Sequence, residues 1–349
     1  MPPAFEPSSP SQRPYLTFLL PCYNEGAVLG ETCRRVNAVA KALGKSYEIV
    51  LVNDGSSDDT LAQMLRLSQD DPALVVVNLS RNHGHQLALS AGLHYCAGER
   101  VLIMDADLQD PPELLPEMLA LMDQGADVVY AQRRSRPGDE VLKRVACAVF
   151  YRMLSRLSET PIPLDSGDFR LISRRVLELI LQMPERHRFL RGMVSWVGFR
   201  QVPLLYDRDK RFAGTTKYPL GRLIRLALDG VVSSSVRPLA LASYAGLLFA
   251  AAGFALIVYA LYSWWKIGKT PQGWTSLMIV VTVLGSVQLF VLGIIGQYLG
   301  RMHEQTRNRP LFIVDSVYRS GKSQSATAAE CPSSPGLFPS VQKKLRDSG

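Results

Sequence analysis

Between residues 15 and 215 the apolar positions fall in short runs of strand length, separated by stretches with helical spacing. "YLTFLLP", "YEIVLVND", "LVVVNLS", "RVLIMDAD" and "DVVYAQR" are continuous or alternating apolar runs that predict buried strands. Between them, "AVLGETCRRVNAVAKAL" carries apolar residues at 28, 29, 36, 39, 40 and 43, one face of a helix. "TLAQMLRLSQ", "HQLALSAGLHYC" and "PELLPEMLALMDQ" predict three further helices. This alternation predicts an α/β fold with a mainly parallel sheet covered by helices, and ligands beyond the carboxyl ends of the strands.

The pattern changes after residue 237. Residues 238–265 and 274–299 contain no charged side chain, and each run is long enough to cross a bilayer as a helix. Lys266 and Lys269 lie in the short link, whereas Arg222, Arg225 and Arg237 precede the first run and Arg301, Arg307, Arg309, Arg319 and Lys322 follow the second. The positive-inside rule then puts both termini in the cytoplasm and the hairpin tip outside, with Trp264, Trp265 and Trp274 at the outer boundary. Upstream, residues 216–237 place Leu220, Leu223, Ile224, Leu226, Ala227 and Val231 at helical spacing beside Arg222 and Arg225. That arrangement suits an amphipathic helix in the headgroup region, or a surface helix of the preceding domain.

Composition narrows the partners. A net charge of +8 fits an anionic one: nucleic acid, a phosphorylated small molecule or an acidic lipid surface. Five cysteines without a CxxC pair indicate neither zinc nor a disulfide framework, and are expected to be reduced, packed thiols. Residues 1–14 lack the apolar core of a secretory signal and are expected to be a disordered lead-in. Residues 300–319 are expected to form a cytoplasmic segment, and the low-complexity residues 320–349 a disordered tail.

The strand ends carry the chemistry. "PCYNE" stands where a dinucleotide fold would show GxGxxG, and no Walker A motif occurs, which disfavours NAD and P-loop chemistry. "NDGSSDDT" offers Asp54 to a ligand, Gly55 to a turn and Ser56 or Ser57 to a helix N-cap; Ser57, Asp58 and Asp59 read as turn and cap residues. In "MDADLQDPP", Asp105 and Asp107 sit one residue apart just past a strand. Such a pair can hold Mg2+ or Mn2+ when a substrate diphosphate completes the shell, although turns are also rich in Asp. Asp110 to Pro112 read as the opening of the next helix, and His83 and His85 as a loop and helix start rather than metal ligands.

Together and in this order, "PCYNE", "VNDGSSDDT", "RNHGHQLALSAG" and "MDADLQDPP" resemble the family 2 glycosyltransferases of GT-A fold. "SGDFRLISRRV", "ERHRFLRGMVSWVGF" and "RFAGTTKYPLGRL", followed by two spans, resemble the polyprenyl-phosphate group, which includes GtrB-type bactoprenol glucosyltransferases and dolichyl-phosphate mannose synthases. The resemblance implies a GT-A (Rossmann-like) domain over 15–215. It implies inverting transfer of one hexose, glucose favoured, from a nucleotide sugar, UDP-glucose favoured, to undecaprenyl or another polyprenyl phosphate at the bacterial inner membrane. It also implies Pro21, Tyr23 and Glu25 at the base and ribose, Asp54 at the base, Asp105 and Asp107 at the metal, and Gln109 and Arg133 near the diphosphate. Asp168 and Arg170 would stand next to the reacting sugar, and Arg211 and Lys217 at the acceptor phosphate, with Arg144 from the basic run between Arg133 and Lys217, which also holds Arg186, Arg188 and Arg191. Asp168 either orients substrate or simply pairs with Arg170. A lipid phosphate is already an anionic nucleophile at neutral pH, so countercharge matters more than a strong base. The resemblance leaves no role for nucleic acid and implies a homo-oligomer, a tetramer among the options. GDP-mannose or a modified aminosugar as donor, and a non-catalytic nucleotide-sugar-binding scaffold, remain alternatives. Processive synthesis is disfavoured by the absence of QxxRW and by only two spans.

Overall fold

The computed structural model describes residues 13–133, 166–186, 188–206, 273–307, 309–319 and 322–325, with scattered positions between 246 and 266. The chain divides into two units, one holding the sheet and one holding residues 145–159 and 218–307.

In the first unit the chain runs β1 (Leu16–Cys22), α1 (Gly26–Ala42), β2 (Tyr47–Asn53), α2 (Thr60–Asp70), β3 (Leu74–Leu79), α3 (His85–Tyr95) and β4 (Arg100–Ile103). A single 3-10 turn, Pro112–Leu114, then leads into α4 (Leu115–Asp123) and β5 (Val128–Arg133). After β6 (Ser166–Ser173) come α5 (Arg174–Gln182), α6 (Leu190–Val197) and β7 (Gln201–Tyr206).

Every strand and helix expected between 15 and 133 is present. The strands alternate strictly, so each feeds two cores. Phe18, Leu20, Leu51, Val76 and Leu102 face one side, where Leu29, Cys33 and Val36 of α1, Met64 of α2 and Met118 of α4 cover them. Leu19, Val50, Val52, Val77 and Ile103 face the other, under Leu89 of α3, Ile180 of α5 and Val194 of α6. Each such side chain contributes roughly 1.5–3 kcal/mol on burial, and neither face is left to solvent, as a doubly covered sheet requires.

The sheet is less parallel than the sequence indicates. Its order is β7-β5-β6-β4-β1-β2-β3-β8-β9. β1 pairs parallel with β2 and β4, β2 with β3, and β5 with β7. β6, however, runs antiparallel to β4 and β5. Neither β6 nor β7 is among the strands that the sequence indicates; in β6, "SGDFRLIS", Asp168 and Arg170 break the apolar run that marks the others.

The sheet also continues past residue 215. β8 (Val314–Arg319) adds antiparallel to β3, and β9 (Lys322–Ser325) to β8. The tail expected to be disordered from residue 320 therefore begins with a strand. Polar spacing hid both elements: β9 is the edge of the sheet and β8 lies next to it. Phe312, buried on α3, draws this segment onto the sheet; its ring centroid is 5.7 Å from that of His94.

Burial, helped by the Arg188 charge, pushes His94 down to about 4. An unfolded chain binds a proton at an ordinary histidine near pH 6.5, and the folded one does so only near 4. Stability therefore falls as the pH drops through that window. Thermal unfolding of the full chain followed from pH 7 to pH 4 is expected to show this loss, of the order of 2–3 kcal/mol, and His94→Gln to flatten it.

In the second unit, α7 (Trp274–Thr306) contains the apolar window Val283–Gly300, with mean hydropathy 1.6 and none of it buried. Among the described residues this is the one helix long and apolar enough to cross a membrane. It continues seven residues beyond the expected end at Leu299, into the charged stretch that follows. The first expected span lies largely outside the described residues; Phe254, Val258, Tyr259, Tyr262 and Trp265 within it are helical and exposed. The juxtamembrane residues 216–237, with Arg211, Lys217 and Arg144, lie wholly outside.

Candidate active site

The carboxyl ends of β1 to β4 bring the sequence motifs together. The loop after β1 is stitched to the loop after β2: the Asn24 backbone N–H donates to Ser56 Oγ at 3.0 Å, and Asn24 Oδ1 accepts from the Ser57 N–H at 2.8 Å. The N–H groups of Glu25 and Gly26 donate to Thr60 Oγ1 and Asp58 Oδ2. Ser56 and Ser57 thus serve this contact and not the N-cap of α2, which is Asp59, without a side-chain cap bond, because the helix starts later than its serines. Asp58 accepts the Thr60 N–H at 3.0 Å. Gly55 has φ 64, and a Cβ there would meet the backbone of Arg81 and Asn82 at 2.5 Å, so only glycine lets the loop after β2 touch the loop after β3.

Among the described residues, two non-glycine residues adopt positive φ, Asn24 at 57 and Leu108 at 62, and both lie in motif loops. Leu108 is the less expected, since leucine gains nothing locally from this conformation. Its turn lies between Asp107 and Gln109, and the Gln109 N–H donates to Asp107 Oδ1 at 3.1 Å. From α1, Thr32 donates to the Ala106 carbonyl at 2.9 Å and so fixes the middle of the Asp105 to Asp107 segment. Asp110 is buried and accepts from the Tyr206 hydroxyl at 3.0 Å, while the helical turn itself begins at Pro112.

Asp54 accepts the N–H groups of His83 and Gly84 at 2.7 and 3.0 Å. Its carboxylate is buried and holds the start of α3. Pro21 is buried within β1 opposite Val52, whereas Tyr23 is 48% exposed at the rim. Arg133 ends β5, its backbone paired with Tyr206.

Asp168 is the hub. Its Oδ2 lies 3.0 Å from His85 Nε2 and accepts from Gln86 Nε2 at 3.1 Å; its Oδ1 accepts from Arg191 Nε at 3.0 Å. Arg170, expected as its partner, is more distant at 3.9 Å and donates instead to the Gly167 carbonyl. Burial alone would raise the Asp168 pKa. The hydrogen bond from His85 and the charges of Arg191 and Arg170 reverse this and hold it well below the carboxylate range. Burial lowers Arg170 to about 10, against the attraction of Asp168. His85, whose burial opposes charge, is nevertheless raised by its bond to Asp168 and by Asp105, which it approaches at 3.7 Å.

Asp105 shows the opposite balance. Burial first, then the charges of Asp110, Asp168 and Asp107 against a partial offset from His85, push it up to about 6. An oxygen-only group with excess negative charge at a strand end suits a hard divalent cation. Among the described residues no three or more His, Cys, Asp or Glu side chains are arranged to hold a metal by themselves. Asp105 and Asp107 alone would supply two carboxylate ligands to such an ion.

Residues 17–181 match the model described as Glycosyl transferase family 2, and residues 237–302 that of the GtrB C-terminal hairpin. An uncharacterized glycosyltransferase of Bacillus subtilis, YkcC, is 42% identical over 302 residues, covering 86% of this chain and 94% of that one. The chain belongs to glycosyl transferase family 2. Within this family, the bactoprenol glucosyl transferase of Shigella phage SfII is 36% identical over 304 residues, covering 87% of this chain and 98% of its own. The prophage bactoprenol glucosyl transferase homolog of Escherichia coli K12 is 35% identical over 302 residues, 86% and 99% of the two chains. A solved glucosyl-3-phosphoglycerate synthase from Mycobacterium tuberculosis aligns with TM-score 0.46 at 22% identity, over 64% of this chain and 77% of that one.

In this family 2 enzyme the sequence motifs converge at the carboxyl ends of the central strands of the sheet. His85, Gln86, Arg191, Thr32 and Tyr206 complete the setting. The basic run includes Arg191, but the sequence gives it no specific partner. The hint at the others is positional: His85 and Gln86 follow Gly84 directly at a strand-end helix start, and Thr32 is a lone polar residue on the apolar face of α1.

Proposed function

We propose that the enzyme transfers one hexose, glucose, from UDP-glucose to undecaprenyl or a related polyprenyl phosphate at the cytoplasmic leaflet of a bacterial inner membrane, with inversion at the anomeric carbon. The acceptor reading is supported by the bactoprenol relatives, which align over nearly their whole length, and by the match of residues 237–302 to the hairpin of the same group. Two spans with both termini cytoplasmic, assembly into a homo-oligomer, and acceptor contacts from Arg211, Lys217 and Arg144 belong to the same proposal.

The observation that carries the chemistry is the pairing of an electron-rich cluster, Asp105 and Asp107, with a carboxylate, Asp168, whose oxygens are occupied by His85, Gln86 and Arg191. Asp168 is too strongly held as an anion to accept a proton near neutral pH, so it positions cationic groups instead of acting as a general base. None is needed: an oxygen of the lipid phosphate attacks the anomeric carbon, and the bond from that carbon to the nucleotide diphosphate breaks. Mg2+ or Mn2+ held by Asp105 and Asp107 would neutralise the departing diphosphate. In this reading Tyr23 and Glu25 line the nucleoside, and Gln109 and Arg133 contact the phosphates.

Incubating the detergent-purified enzyme with undecaprenyl phosphate and a panel of UDP- and GDP-sugars tests the donor. Glucose from UDP-glucose is expected in the lipid product, with the anomeric configuration inverted by NMR. Preference for GDP-mannose or an aminosugar would replace the donor assignment and leave the acceptor intact.

A further inference from the structure

Gln86 joins three elements that the sequence keeps far apart. It is the second residue of α3. Its Nε2 donates to Asp168 Oδ2 on β6 at 3.1 Å, and its Oε1 accepts the Leu190 N–H at 3.0 Å. Leu190 opens α6, where backbone N–H groups have no partner within the helix. The next residue, Arg191, returns to the same carboxylate through Nε at 3.0 Å. A closed ring results, running from Asp168 through Gln86 and Leu190 to Arg191 and back.

Only a carboxamide can do this. It must donate at one end and accept at the other; glutamate offers acceptors alone and an aliphatic chain neither. Asp168 is 8% exposed, so a lost donor is not readily replaced by water. The neighbouring His85 uses the same Oδ2 and reaches toward Asp105 at 3.7 Å, so a rotation of the Asp168 carboxylate would also shift the group next to the acidic cluster.

We infer that Gln86 is a positioning residue for the transfer reaction: it fixes the orientation of the Asp168 carboxylate and sets Arg191 against it from the start of α6. The inference rests on the glycosyl-transfer reading above. A displacement of about 1 Å among groups that orient reactants costs about 100-fold in rate, and Gln86 acts at one step removed, through Asp168.

The test uses the full chain in detergent, with Gln86→Ala, Gln86→Glu, Asp168→Asn and the double variant Gln86→Ala/Asp168→Asn. Gln86→Glu keeps an acceptor for Leu190, and with it the start of α6, but turns a second negative charge on Asp168. Both single Gln86 variants are expected to lower kcat by roughly 10- to 100-fold, with the KM for donor and the Kd for UDP within threefold of wild type. In the Asp168→Asn background, Gln86→Ala is expected to cost less than threefold more, because the group it positions is already gone. A kcat within threefold of wild type, multiplicative losses in the double variant, or failure of both single variants to fold would each overturn the role. A wild-type protein that transfers no sugar would instead overturn the glycosyl-transfer reading, and the role with it.

Discussion

Asp107→Asn is expected to lower sugar transfer by roughly 1,000-fold, equivalent to about 4 kcal/mol of transition-state stabilisation. The substitution keeps shape and an Oδ1 that can still accept the Gln109 N–H, whose bond to Asp107 is 3.1 Å long. The turn around Leu108, already at positive φ, should therefore survive. What disappears is one of the two charges that suit a divalent ion. Titration of Mn2+ into the enzyme with UDP present, followed by the signal of the free ion, is expected to show weakened binding with an unchanged unfolding midpoint. Full activity with an unaltered metal requirement would remove Asp107 from the metal site.

Asp168→Asn is expected to act on both stability and rate. It removes the anion from a pocket where Arg191 and Arg170 stay charged and nine-tenths of the Asp168 side chain is hidden. Breaking a buried pair from one side costs about 3–5 kcal/mol, mostly because the remaining charge is left without compensation. Transfer is expected to fall by at least about 100-fold as His85 and Arg191 lose their common anchor. The pH dependence separates this from a packing defect. The Asp168 pKa is depressed in the folded state, so its contribution is complete above the ordinary carboxylate pKa near 3.9 and fades only as the pH falls toward the lower folded value. The stability gap between wild type and Asp168→Asn should therefore not shrink from pH 7 to about pH 5, where protonation of His85 beside Asp168 adds to it, and should close in stronger acid. Denaturant unfolding at a series of pH values measures it, and a gap that persists into strong acid would assign the loss to packing.

Most of the strands, helices and metal-loop candidates could be read directly from residue order. The first four strands are mostly apolar runs because both faces are covered, and each ends at a motif. Spacing does not reveal who meets whom across the sheet. Asp168 lies two residues from Arg170, yet side chains two apart on a strand share a face without being forced into contact. The closer partners come from α3 and α6, through His85 and Gln86 on one side and Arg191 on the other. Asp54 illustrates the same limit: its position beside a ligand site is visible in "NDGSS", but its bonds to His83 and Gly84 depend on how α3 returns to the sheet. β8 and β9 were invisible for a different reason. Their short, polar-rich segments carry little hydrophobic signal, and their place beside β3 is set by tertiary pairing after a long excursion of the chain.

The most direct measurement follows label from the nucleotide sugar into the lipid phase, using purified wild-type protein, undecaprenyl phosphate and the donor selected from the panel. The expected result is one labelled sugar-phosphate lipid formed for each UDP released with Mg2+ present, abolished by EDTA and by Asp107→Asn. UDP release without a labelled lipid, or equal transfer in the presence of EDTA, would contradict it.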